Sequence, residues 1–454
     1  MISTLQFFGG AGTVTGSKYL IRAGQRQILL DAGLFQGLKE LRLRNWAPPP
    51  FDPRAVDAVV LSHAHIDHSG YLPLLVRDGF RGSIFCSSAT ADLLAVMLLD
   101  AAHLQEEDAR HANWQGYSKH KPALPLYTVR DAEAALKQVK PCRYEEPVAV
   151  IDQVNAIFRP AGHILGSATV ELQIGSPDPF RLVFSGDLGR WNQPLIRDPE
   201  FVPQADALLL ESTYGGRRHG ADSEAELARV VNDAVKRGGA LVIPAFAVGR
   251  AQELVWMLRQ LEEQNKIPAL PVYVDSPMAI QVADIYARHP EEHDLEMEKL
   301  TVKTMEESQG LDRLAGPCVI ISASGMATGG RVLHHLEKRL PDTRTTVLLV
   351  GYQAAGTRGR SLQEGAKTVR MHGQDVPVRA TVETLDGLSA HADQEEIFRW
   401  LSGFTRPPRQ TYLVHGEPEQ AEALAQAIQK RLGWNVHVAQ DKQTITLSSS
   451  RVTK

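Results

Sequence analysis

Cysteine is scarce: 454 residues hold three, Cys86, Cys142 and Cys318, far apart and odd in number. That excludes a disulfide framework and a cysteine-based zinc knuckle, and it suits a reducing compartment. Long hydrophobic runs are missing as well. The strongest, Leu93 to Leu99, is hemmed in by Asp92 and Asp100 and falls well short of the ~20 apolar residues that cross a bilayer. Residues 1–10 lack the basic region and apolar stretch of a secretory signal, so the expected location is cytoplasmic. Charge of one sign is lacking too. Lys and Arg number 49 against 53 Asp and Glu, a net charge of −4, so no global field attracts a polyanion. A nucleic-acid partner would have to meet a local basic groove or a metal. The glycines of Gly9-Gly-Ala-Gly-Thr-Val-Thr-Gly16 are not spaced G-x-G-x-x-G and lead into a strand-like run, Ser17 to Ile21. They read as a tight hairpin rather than a dinucleotide loop.

What is present describes a globular chain: 43% hydrophobic, 22% charged, 36 Gly and 26 Pro. Its length predicts two or three domains. In the first half, short apolar runs such as Ile28–Asp31, Ala58–Leu61, Leu182–Ser185 and Ala207–Glu211 read as strands buried on both faces. A different texture begins near Tyr214. A helix is predicted over Ser223–Arg237, with Ser223 as cap and Glu226 as its box partner, and another over Arg250–Gln264. The strands Ala240–Ile243, Val272–Asp275, Val319–Ser322 and Thr346–Val350 alternate with them, which predicts a doubly wound α/β insert. From about Arg379 the short-strand texture returns, and a last helix is predicted over Pro418–Leu432.

The densest chemical signal is His63-Ala-His-Ile-Asp-His68, directly after one of the buried runs. Three imidazoles and a carboxylate in one turn are ligand types that suit zinc. Asp31, Asp187, Glu211 and His415 also end or closely follow buried runs, and His391 comes six residues after another. Polar residues at strand ends line one edge of a sheet, a usual place for chemistry in open α/β folds. His163, in Pro-Ala-Gly-His-Ile-Leu-Gly-Ser, is a further candidate, although a loop histidine or a turn aspartate has an ordinary structural use too. The remaining histidines of the 16 read as surface or packing residues.

Together these residues resemble the β-CASP ribonucleases of the metallo-β-lactamase superfamily, including the bacterial and archaeal relatives of the pre-mRNA 3′-end cleavage subunit. Asp31 matches the family's first motif, His63, His65, Asp67 and His68 the second, His163 the third and Asp187 the fourth. Glu211, His391 and His415 match the three β-CASP motifs. The resemblance implies an α/β architecture, an αββα sandwich from residues 1–212 and 377–454, with a doubly wound β-CASP insert over 213–376. It implies two zinc ions per chain, one held by His63, His65 and His163, the other by Asp67, His68 and His415, with Asp187 bridging. Asp31 would orient a ligand imidazole, Asp67 would manage the attacking water, and His391 would be general acid with Glu211 as its partner. Histidine at position 415 points to RNA rather than DNA.

The insert supplies candidate phosphate grips at Arg250, Ser322, Ser324, Gly325, Thr357 and Arg358. No KH or S1-like module, no aromatic RNP pattern and no long C-terminal RNase J domain is visible. The expected partner is therefore single-stranded RNA gripped by its backbone in the interdomain cleft, with no membrane; a homodimer stays open as an assembly. Two other readings remain at this point: a metallo-hydrolase of small esters, thioesters or lactams, and a non-catalytic RNA-binding scaffold.

Overall fold

The computed structural model describes residues 3–447, apart from 117, 194, 221–222, 294–307, 312–313 and 315. The chain divides into two compact units. The first comprises Met1–Gln36, Glu40–Arg218 and His391–Lys454; the second comprises Gly37–Lys39 and His219–Ala390. Among the described residues, no helix is long and apolar enough to cross a membrane.

In the first unit the buried runs form two seven-stranded sheets. One has the order Thr444–Leu447, Ser3–Gly9, Lys18–Ala23, Arg26–Leu30, Ala58–Val60, Ser83–Ser87, Val139–Cys142. The other runs Val436–Val438, Gln410–Val414, Ala207–Glu211, Phe180–Phe184, Ala168–Ile174, Val154–Pro160, Val148–Ile151. Alternate residues of both sheets face a shared core, where Leu5, Phe7, Tyr19 and Ile28 belong to the same cluster as Phe158, Val170, Phe184 and Leu209. Each such side chain contributes roughly 1.5–3 kcal/mol on burial, which makes this double-sheet core the main stabiliser of the unit. The outer face of the second sheet is covered by helices Gln394–Leu401 and Pro418–Leu432, through Ile397, Trp400, Leu424 and Ile428. Helices Leu72–Arg77, Ser88–Gln115 and Val129–Leu136 flank the first sheet. This is the expected αββα sandwich.

The second unit is built on five parallel strands in the order Val272–Asp275, Cys318–Ser322, Ala240–Pro244, Thr346–Val350, Thr381–Leu385. Apolar clusters cover both faces. Leu227, Val231, Leu254 and Leu258 pack with Ile243, Ile321 and Leu348, while Val332, Leu336 and Leu362 pack with Val242, Val347 and Leu349. Burial on both sides explains why these strands read as unbroken apolar runs. Helices occupy Ser223–Arg237 and Arg250–Glu263, where helical spacing predicts them.

One boundary differs from the sequence expectation. Thr381–Leu385, grouped there with the returning first-half texture, pairs residue for residue with Thr346–Val350. The insert therefore runs beyond 376, and its unit extends to Ala390. The strand is only half-buried at the sheet edge, so its polar-rich pattern resembles that of a solvent-facing strand. Periodicity marks a strand without saying which sheet accepts it.

Candidate metal centre

All ten residues proposed for the catalytic site lie in the first unit, and the strands deliver most of them. Asp31 and His415 each follow directly on a strand, and Glu211 ends one. His63 and Asp187 lie three residues past strand ends, and His163 sits in the loop joining Val154–Pro160 to Ala168–Ile174. Asp31 and His415 adopt φ of +55° and +46°, a left-handed conformation that costs a non-glycine residue on the order of 1 kcal/mol and persists only where its surroundings impose it. Here Asp31 N–H donates to Val60 O at 2.9 Å and His415 N–H to Gly10 O at 2.5 Å. The His63–His68 turn is fastened from outside: Ala32 N–H donates to His68 O at 2.7 Å and Ser17 N–H to Asp67 O at 2.9 Å. The fit is so close that a Cβ on Gly33 would lie 1.6 Å from Asp67 O.

Two groups of ligand atoms result. In one, His65 Nδ1 lies 3.1 Å from His63 Nε2 and 3.2 Å from His163 Nε2, and Asp187 Oδ2 is 3.5 Å from both Nε2 atoms. In the other, ligand atoms of Asp67, His68 and His415 lie within 4.8 Å of one another. Asp187 Oδ1 is 3.2 Å from His68 Nε2 and 3.6 Å from His415 Nε2. The two oxygens of Asp187 are thus divided between the groups. Ligand atoms about 2.0–2.1 Å from a tetrahedral zinc lie roughly 3.3 Å apart, so the first group has the size zinc needs. His68 Nε2 and Asp187 Oδ1 are buried and face each other at 3.2 Å without the geometry of a hydrogen bond, an arrangement that a cation between the residues would satisfy. The donor set fits the metal.

Protonation points the same way. Burial holds His63 and His163 well below the ordinary histidine range, and lowers His65 and His415 to about 3. Four imidazoles are therefore neutral, the form that ligates. Burial also pulls His68 down, but Asp187 and Asp31 on either side override it and raise it well above that range. Asp187 itself stays ionised: burial pushes its carboxyl up, and His415, His68 and His63 more than offset this. Burial raises Asp67 to about 6.

An outer ring of hydrogen bonds aims the imidazoles. Asp31 Oδ2 lies 2.6 Å from His68 Nδ1 and accepts from Ser62 Oγ at 2.7 Å, while Ser62 Oγ is 3.0 Å from His63 Nδ1. Asp31 therefore orients two rings, one of them through a serine. Ser17 Oγ plays the same part for His415, 3.0 Å from Nδ1. Ser17 and Ser62 were invisible to motif reasoning. A serine beside an apolar run has no distinctive spacing, although Ser62 does adjoin the histidine cluster.

Beside these groups, Glu211 is fully buried. It accepts from Leu188 N–H at 2.8 Å and Thr213 N–H at 3.1 Å, and meets His391 Nδ1 at 3.0 Å. Burial lowers the His391 imidazole, but Glu211, with Asp187 and Asp67 beyond it, overrides this and brings it up to about 9. The ring lies 4.5 Å from His163 and 6.1 Å from His415, centroid to centroid. Gly189, bridged to His391, must be glycine, because a Cβ there would stand 1.6 Å from Gly162 O.

The candidate phosphate grips lie in the second unit, and most already have internal partners. Arg250 is buried and paired with Glu253. Ser322 Oγ donates to Asp275 O at 3.0 Å, and Arg358 donates to Arg370 O at 2.7 Å and Thr328 O at 3.1 Å. Thr357 caps the Arg358–Gln363 helix, Ser324 Oγ accepts from Thr328 N–H at 3.0 Å, and Gly325 passes close to Phe246. Ser322 and Arg358 thus brace the insert's own backbone and Arg250 a neighbouring side chain; the sequence reveals their type and not their partners. The same strand edge holds a carboxylate that sequence reasoning did not single out. Asp275 is paired with Arg331 at 2.6 Å and His335 at 2.7 Å.

Comparison with known proteins agrees with this geometry. Residues 26–236 match a beta-lactamase superfamily domain, 251–362 a Beta-Casp domain, and 375–439 a Zn-dependent metallo-hydrolase RNA specificity domain. The chain is 38% identical to ribonuclease TTHA0252 of Thermus thermophilus, over 93% of this chain and 95% of that one. It is 30% identical to the transcription termination factor FttA of Methanosarcina mazei, over 97% of this chain and 71% of the relative. An RNase J-like protein of Methanocaldococcus jannaschii is 29% identical, over 94% and 96%. A crystal structure of a protein of unknown function from Enterococcus faecalis V583 shares the fold, with a TM-score of 0.57 and 15% identity, covering 98% of this chain and 100% of that one. The chain belongs to the β-CASP family of metallo-β-lactamase ribonucleases.

Proposed function

We propose that the chain is a zinc-dependent ribonuclease that hydrolyses RNA phosphodiester bonds with two metal ions and a histidine general acid. The observation that carries this reading is the division of Asp187 between two imidazole groups, next to a histidine charged by a buried glutamate. His63, His65 and His163 would hold one zinc and Asp67, His68 and His415 the other, with Asp187 serving both. When bound, such a pair brings the pKa of water toward neutrality and offsets charge on the phosphoryl oxygens.

The chain's own residues supply the rest. Asp67, among these ligands, can orient the attacking water and take its proton. The departing 3′-oxygen is a poor leaving group and needs a proton. Glu211 engages His391 at Nδ1, which leaves Nε2–H as the proton to be delivered. Such general-acid help is worth roughly 10²–10⁴ in rate. Ser324, Gly325 and Thr357 would meet the RNA backbone on a frame braced by Arg250, Ser322 and Arg358. RNA as substrate is supported by the matched RNA specificity domain and by the ribonuclease among the relatives.

The test is direct. Labelled RNA, a β-lactam and a thioester are offered in parallel to zinc-loaded protein. RNA should be cut, with cleavage abolished by a chelator and restored by zinc. A thioesterase or lactamase rate with the RNA left intact overturns the reading.

A further inference from the structure

The helix Ser88–Gln115 connects the metal centre to a remote surface. At its start, Ser87 Oγ and Thr90 Oγ1 both donate to Gly166 O, at 2.5 and 2.8 Å, three residues beyond His163. At its far end Trp114 is 79% exposed, with His111 as ring neighbour at 5.9 Å. The helix stops at Gly116 in the left-handed conformation, and the chain is then laced back: Asn113 Nδ2 donates to Ala123 O at 2.9 Å and Ala123 N–H to Asn113 Oδ1 at 2.7 Å. Lys121 is two residues from that fastening, so its Cα lies within about 7 Å of Ala123. Lys119 and Lys121 are exposed and form no salt bridge among the described residues. From Ala109 to Arg130 the sequence contains Arg110, Lys119, Lys121 and Arg130 but no Asp or Glu.

A single exposed leucine is ordinary. A tryptophan left in water in the last turn of a helix, next to a stretch without acidic residues that follows Glu106, Glu107 and Asp108, offers a stacking platform beside phosphate-binding cations, the combination that grips single strands without reading sequence. The surplus of Lys and Arg between 109 and 130 favours a polyanion as the occupant. We propose that this end of the helix docks single-stranded RNA, with a base stacked on Trp114 and phosphates at Lys119 and Lys121; the proposal rests on the ribonuclease reading. Trp114 lies 26 residues after Ser88, about 39 Å along the helix. A strand covering both platform and metal centre therefore needs about 11 nucleotides at the ~3.4 Å per nucleotide of a stacked chain. The platform serves long substrates and leaves short ones unaffected.

Zinc-loaded protein, Trp114→Ala, Trp114→Phe and the pair Lys119→Ala with Lys121→Ala would be compared on a 30-nucleotide and a 6-nucleotide single-stranded RNA, by fluorescence anisotropy and by cleavage. Trp114→Ala should weaken 30-mer binding by about 5- to 150-fold, and Trp114→Phe should keep most of it. The lysine pair should flatten the log–log salt dependence by about 1.4. Cleavage of the 6-mer should not change. Wild-type affinity for the 30-mer in both Trp114→Ala and the lysine pair overturns the platform, as does a loss of self-association in those variants with RNA affinity intact. A wild-type chain that neither binds nor cuts either RNA overturns the ribonuclease reading, and the platform with it.

Discussion

Each unit contains a buried aspartate at a strand end with a histidine against it: Asp31 with His68 at 2.6 Å, and Asp275 with His335 at 2.7 Å. Their surroundings differ. Beyond His68 stand Asp187 and four neutral imidazoles, with His68 Nε2 and Asp187 Oδ1 buried and facing each other at 3.2 Å without hydrogen-bond geometry. Asp275 instead directs its second oxygen to Arg331, and neighbouring donors such as Ser322 and Arg358 find backbone acceptors within the same unit, although His335 Nδ1 is buried without a hydrogen-bond partner. The first arrangement gathers the nitrogens and oxygens of seven residues into two groups of a size that suits cations; the second joins one carboxylate to one histidine and one arginine. Residue types at strand ends are thus a weak guide to chemistry, and the convergence of several ligand-type atoms within a few ångströms is a better one.

The sharpest way to break this contrast is to remove one carboxylate from each unit. Asp187→Ala should take bound zinc from two per chain toward none and cleavage below detection, as read by elemental analysis and RNA assay. Asp275→Ala should keep two zinc ions and lose on the order of 3 kcal/mol of stability in denaturant unfolding, the low end for breaking a buried pair because Arg331 is half-exposed. Zinc loss in Asp275→Ala, or full zinc in Asp187→Ala, would erase the distinction.

His391→Ala should come next, lowering RNA cleavage by roughly 10²–10⁴ while both zinc ions stay bound. A general acid acts only while protonated, so wild-type cleavage should fall as pH rises through the His391 pKa. Bound cations bring that pKa below its ion-free value of about 9. This alkaline limb should vanish in His391→Ala; an unchanged profile removes the residue from proton transfer.

A smaller effect is expected in the outer ring. Ser17→Ala should weaken the zinc at Asp67, His68 and His415 by about 10- to 100-fold, measured by competition with a chromophoric chelator, and Ser17→Thr should restore it. Equal affinity in Ser17→Ala would mean that the 3.0 Å contact with His415 aims nothing.

A last prediction concerns the packing beneath and leaves the chemistry untouched. Lys18 is buried, donates to Gly33 O, and lies 4.6 and 4.9 Å from the Phe35 and Tyr71 ring centroids. Burial, with Arg44 adding to it, lowers its pKa from 10.5 to about 7. Between those values the unfolded chain binds more protons than the folded one, so stability rises with pH across that window and is flat below it. In thermal melts, the Tm of wild type relative to Lys18→Met should climb from pH 7 to 10.5. A pH-independent difference would mean that Lys18 keeps its ordinary pKa.

The candidate centre could be picked out in the sequence because its residues are unusual types in unusual density: His63 to His68 announce themselves, and Asp31, Asp187 and His415 stand at or just past strand ends. Ser17 and Ser62 were not legible, because a serine becomes an orienting group only through a contact that folding creates. The membership of Thr381–Leu385 in the insert sheet was hidden for a related reason: pairing is a tertiary property, and an edge strand carries a surface-like pattern. Arg250 and Arg358 looked like free cations for the opposite reason, since their partners Glu253 and the 328 and 370 carbonyls are ordinary residues.

Crystals grown with zinc and never exposed to chelator would test the central claim most directly, through anomalous scattering at the zinc edge. Two peaks are predicted, one among His63, His65 and His163 and one among Asp67, His68 and His415, with Asp187 between them. A single peak, or none, would contradict the account.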